Sequence, residues 1–175
     1  MITQLNATYV PEEDRVLFRF NTADSNEFRL WLTRAMVRLT LGGLTELMTK
    51  AQVVSAQDTH QAKAIADFKQ ETIKQQTTFT DFQPAQNLPL GDVPVLVIRL
   101  RLGLEGMTYV VAFDLVNQKT ITLRLDESLF GKMRLLLNTI QEKAMWNLNV
   151  LVSDVTIEEK EVVPSSDGPA GPFLH

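Results

Sequence analysis

The sequence predicts an α+β domain: an antiparallel sheet of five to six strands, in the chain order ββ-αα-βββ-α, with helices packed mainly on one face. Three observations lead there. Short alternating segments cluster at both ends of the body, so strands segregate from helices instead of alternating with them. Two stretches between and after them carry apolar residues at helical spacing. The 175-residue, 19.8 kDa chain is long enough to bury one core without staples.

Residues 2–10 and 15–21 read as two strands joined by a turn at Pro11-Glu12-Glu13-Asp14. In the second, Val16, Phe18 and Phe20 alternate with Arg15, Leu17 and Arg19, so one face is apolar and the other carries two arginines. Asp24-Ser25-Asn26-Glu27 has the form of a capping box, and Phe28, Trp31, Leu32, Ala35, Met36 and Leu39 follow at helical spacing. A helix is therefore expected from about residue 25. Gly42-Gly43 would end it or mark a close crossing. A second helix over 58–76, capped by Asp58, has a thin apolar stripe of Ala62, Ile65, Ala66, Phe68 and Ile73. Residues 77–92 are a connection.

Strands are expected over 94–104, 107–115 and 119–125, with turns at Glu105-Gly106 and Asn117-Gln118. Strict alternation places Leu96, Ile98, Leu100 and Leu102 on one face of the first, opposite Val95, Val97, Arg99 and Arg101. Asp126 caps a last helix whose stripe is Leu129, Met133, Leu136, Leu137, Ile140 and Ala144. Residues 150–157 could add a short sixth strand. The domain is read as 1–157, followed by a disordered acidic Pro/Gly/Ser tail over 158–175. No internal repeat stands out.

The stretch EDRVLFRFNT (13–22), followed by EFRLWLTR (27–34), resembles a group of short uncharacterised bacterial proteins. The resemblance covers about the first quarter of the chain. It implies a bacterial, cytosolic origin and carries no activity.

Composition narrows the chemistry. There is no cysteine, which rules out disulfides, thiolate metal sites and cysteine nucleophiles and fits a cytoplasmic setting. Of two histidines, His60 opens the thin helix and His175 ends the tail. Neither Gly-x-Ser-x-Gly nor a Gly-rich phosphate loop occurs. No catalytic residue, metal ligand or cofactor is nominated, and no stretch has the length of a membrane span. The net charge of −4 belongs wholly to residues 154–175, and the body is balanced.

One constellation stands out. Arg15, Arg19, Arg99, Arg101 and Arg124 lie on three strands and would share the face opposite the helices, joined by Arg29, Arg34 and Arg38 of the expected first helix. Guanidinium groups grip phosphates and stack on bases, and Tyr109 could add a stacking surface. That pattern fits a single-stranded DNA or RNA platform. The same arginines also serve ordinary cross-strand pairing, and a neutral body lacks the positive excess usual in nucleic-acid binders.

Val95, Val97, Tyr109, Val111 and Phe113 would form a second apolar face in need of cover. That surface, with Trp31, Trp146 and Phe113 as anchors, makes a non-catalytic protein–protein interaction subunit or homo-oligomer the leading expectation. A single-stranded nucleic-acid binder is the alternative, and a hydrolase using paired carboxylates comes third.

Overall fold

The computed structural model describes residues 1–53 and 58–148. The expected strand at 150–157 and the tail at 158–175 lie outside them.

The chain folds as α+β around one six-stranded sheet. The strands are β1 (Ile2–Val10), β2 (Arg15–Thr22), β3 (Glu27–Thr33), β4 (Val95–Glu105), β5 (Thr108–Leu115) and β6 (Thr120–Leu125), neighbours in space in that order. Helices α1 (Arg34–Val53) and α2 (Thr59–Gln76) follow β3, and α3 (Glu127–Lys143) follows β6. All pairings are antiparallel except β3 with β4, which are parallel through Leu30–Val95 and Trp31–Leu96. The sheet is thus mixed, because the chain returns to it through two helices and not through a hairpin. Helices α1 and α3 cover one face, and α2 packs on those two helices as a third layer. Among the described residues no helix is long and apolar enough to cross a membrane.

The expected helix over residues 25–33 is instead β3. Phe28, Leu30 and Leu32 also satisfy a period of two, and the strand pairing of Phe28 with Phe20 and Leu30 with Phe18 wins. The hairpin turn between β2 and β3 is Ala23-Asp24-Ser25-Asn26, and Glu27 already pairs with Asn21. Ser25 sits at φ 56° and the Thr22 N–H donates to the Asn26 carbonyl. The helix is capped nine residues later than expected, by Thr33. Gly42 and Gly43 are buried within it and do not end it.

The second correction concerns β4. Its pairing with β5 shifts register between Val97 and Arg99. The extra residue turns the alternation over. Val97, opposite Leu115, therefore shares the core face with Leu100 and Leu102, while Arg99 and Arg101 face out. Val95, Val97, Tyr109, Val111 and Phe113 consequently belong to the single core under the helices. The second apolar face expected from the sequence does not exist, and nothing outside the chain is needed to cover it.

The order βββα occurs twice, interrupted by α2. Helix α1 leans on β4 and α3 leans on β1, so each helix crosses to the first strand of the other unit. The Phe18 and Phe113 rings, on the middle strands of the two units, meet at 6.2 Å in an edge contact. Those strands are three places apart in a sheet whose neighbours lie about 4.8 Å apart. The sheet therefore curls towards its helix-covered face, and its other face is convex.

Candidate interaction surface

Side chains alternate along each strand, so the ladder pairings fix which ones share the outer face. On the first unit the rows run Val10–Arg15–Thr33, Thr8–Leu17–Trp31 and Asn6–Arg19–Arg29. On the second they run Arg99–Asp114–Thr120, Arg101–Ala112–Thr122 and Gly103–Val110–Arg124. The five sequence-predicted arginines do lie on one face of one sheet, and Arg29 of β3 joins them. The curl separates them into two groups, Arg15, Arg19 and Arg29 on one flank and Arg99, Arg101 and Arg124 on the other.

Most of these arginines are engaged. Arg15 pairs with Glu13 at 3.6 Å, Arg101 with Asp114 at 2.7 Å and Arg124 with Glu105 at 3.3 Å. Arg29 donates to buried Glu27 at 2.7 Å and to the Asp92 carbonyl at 3.1 Å. Arg19 donates to Asn6 Oδ1 at 2.8 Å and lies 4.3 Å over the Phe82 ring. Burial lowers the basicity of Arg19, and the like charge of Arg29 adds to this against the opposing field of Glu27. Arg99 is exposed, across the ladder from Asp114. The Asp114 carboxyl is held below the usual range by hydrogen bonds from Arg101 and Thr120 and by the charges of Arg101 and Arg99.

Arg19 and Arg29 act mainly as fasteners for the segment between α2 and β4, which lies against this flank. Gln4 donates to the Asp81 carbonyl and accepts from the Gln83 N–H. Asn21 donates to the Gln83 carbonyl at 2.6 Å, and Glu27 accepts from the Ala85 N–H. A connection that the sequence shows only as Pro- and Gln-rich is thus pinned by polar side chains on strand faces.

Between these pinned arginines and the second unit lies an apolar row. Trp31 is half-exposed, with Leu17 opposite it on β2 and Leu96 opposite it on β4. Ile98, two residues beyond Leu96, is 57% exposed. Val116, whose N–H donates to the Leu96 carbonyl, is 58% exposed. Arg29 sits two residues from Trp31 on the same face, and Arg15 two from Leu17. The patch is therefore an aromatic and aliphatic stripe edged by cations and their carboxylate partners. Sequence reasoning singled out Trp31 but placed it on a helix. The alternation of Phe28, Leu30 and Leu32 is the signal that locates it.

The other nominated residues sit elsewhere. Tyr109 is buried and stacks on Phe130 with ring centroids 4.1 Å apart, so it offers no surface to a base. Phe113 is fully buried against Phe18, so it cannot anchor a partner. Trp146 is buried too. Its ring meets Tyr9 edge-on at 5.4 Å, its indole N–H donates to Asp14 at 2.9 Å, and its carbonyl accepts from Arg34 at 2.6 Å. It clasps the chain after α3 onto the β1–β2 turn. Among the described residues no group of three or more histidines and carboxylates is arranged to hold a metal ion. Comparison with protein-family models, with curated proteins and with solved structures finds no match to this chain.

Proposed function

We propose that the chain is a non-catalytic interaction protein of the bacterial cytoplasm, and that it associates with a second copy of itself through the convex sheet face centred on Trp31. The observation that carries this reading is the Leu17–Trp31–Leu96 row, half-exposed and continued by Ile98 and Val116. A large aromatic among aliphatics, rimmed by arginines, is the composition of an interface centre. A two-fold contact sets the same patch against itself, so it must carry both charge signs. This face does: Arg15 with Glu13, Arg101 with Asp114 and Arg124 with Glu105 alternate across it. Ionised Asp114 serves as a fixed counter-ion here. Light scattering on the full chain at tens of micromolar tests the reading: the expected mass is twice the chain's, falling to one chain in Trp31→Asp and Leu96→Asp. A wild-type monomer at those concentrations overturns it.

A second reading has its own observation. A half-buried indole flanked by Arg29, Arg15 and Arg99 also suits stacking of single-stranded bases with phosphates on the rim. It predicts binding of a mixed-sequence oligonucleotide that weakens steeply with salt. Removal of residues 154–175, which takes the net charge from −4 to neutral, should strengthen that binding. No binding by the truncated chain at low salt eliminates it.

A further inference from the structure

We propose that the cleft where α1, α2 and α3 meet is a binding site for a small anion carrying carboxylate or phosphate groups, with Arg134 as its anchor and Lys63 as its second cation. The site is separate from the convex sheet face and stands independently of it. The cleft encloses about 480 Å³, within the range of small-molecule sites of about 300–1,000 Å³.

Arg134 is the reason. Its side chain is half-buried on α3, and its Nε donates to Thr45 Oγ1 of α1 at 3.0 Å. No other hydrogen bond and no ion pair engages this guanidinium among the described residues. A charge withdrawn from water is costly unless a counter-charge or hydrogen bonds replace the water. Burial lowers the basicity of Arg134, and the field of Asp67 offsets this only in part, without an ion pair between them. The two remaining nitrogens form a planar fork suited to a carboxylate or phosphate. Lys63 of α2 lines the same cleft and has no ion-pair partner among the described residues. The charged lining of the cleft is three cations, Lys63, Lys74 and Arg134, against two carboxylates: Glu71, 3.9 Å from Lys74, and Glu142, which accepts from the neutral amide of Asn138 at 2.7 Å. The balance is therefore positive, and Gln70, whose Oε1 is buried without a partner among the described residues, lines the same cleft.

The test is titration of the full chain with inorganic phosphate and, separately, citrate, read by calorimetry and by thermal shift against chloride at equal ionic strength. Saturable binding of either probe is expected, and the tighter one assigns the group as phosphate or carboxylate. Arg134→Met should weaken that binding about tenfold or more, the usual effect of losing a charge-assisted hydrogen bond. Arg134→Lys should retain part of it, and Lys63→Met should weaken it. Arg124→Met, on the sheet face, should leave it unchanged. Absence of saturable binding by the wild type overturns the proposal, as does equal binding by Arg134→Met. If Arg134→Met does not fold, Lys63→Met decides, and unchanged binding there counts against the site.

Discussion

Thr33 and Asp126 occupy matching places in the two βββα units: Thr33 is the last residue of β3, Asp126 directly follows β6, and each caps the helix that comes next. Thr33 Oγ1 accepts from the Met36 N–H at 3.1 Å, and Asp126 Oδ1 accepts from the Leu129 N–H at 2.7 Å. The residues just before them, Leu32 and Leu125, are both fully buried. Each strand-to-helix corner is thereby fixed by one apolar anchor and one cap. Thr33→Ala and Asp126→Ala should each cost about 1 kcal/mol of unfolding free energy. Urea titration of the two single variants and the double variant checks this, with near-additive losses because the caps share no partner.

Helix α2 depends on a close approach to α3. A β-carbon on Gly131 would collide with the Ile73 side chain. The atom met is the Cδ1 tip of a half-buried side chain, which a rotamer change can move, and alanine's higher helix propensity works the other way, so Gly131→Ala should change stability by less than about 1 kcal/mol. In an Ile73→Ala background the same substitution should stabilise, by up to about 1 kcal/mol in urea titration. A large loss that persists in that background would contradict the contact between Gly131 and Ile73.

Much of this fold is visible in the residues. Val16, Phe18 and Phe20 mark β2 by alternation alone, and Asp58 and Asp126 mark the starts of α2 and α3, where they cap as expected. Two things are not visible, both through backbone geometry. The segment Phe28–Leu32 satisfies the helical and the strand period together, and only its pairing with β2 decides. The irregularity between Val97 and Arg99 moves Val95 and Val97 to the core side, and no residue type in β4 announces it. The candidate surface shared that fate. Its arginines are legible as a set, but Trp31 reaches them only because β3 is a strand, and Tyr109 leaves them because its face is the covered one.

Tyr109 should titrate late. Burial, with the charge of Glu127 adding to it, pushes its phenol up to about 12. The unfolded chain loses this proton near pH 10, two units earlier than the folded one. Ionisation therefore favours unfolding, and stability falls as pH rises from about 10 towards 12. Tyr109→Phe should flatten that alkaline decline in a pH series of urea midpoints, whereas an unchanged slope would show that the phenol is not buried as described.

Asp114 works in the opposite direction. Its pKa is lowered in the fold, so its contribution is present at neutral pH and is lost as pH falls below about 4. Exposure keeps the effect small, under about 1 kcal/mol. Asp114→Asn should be slightly less stable than wild type at pH 7 and should converge with it at pH 2–3 (measured by thermal unfolding). A gap that widens on acidification would contradict the pairing with Arg101.

The protection of Trp31 against quenching tests the account most directly. Trp146 is the other tryptophan, so Trp146→Phe leaves Trp31 as sole emitter. Acrylamide quenching measured across a dilution series should then weaken as protein concentration rises, with a blue-shifted emission, because a second copy covers the indole. Equal quenching at every concentration, from sub-micromolar to tens of micromolar, would contradict the claim that this sheet face is where the chain meets itself.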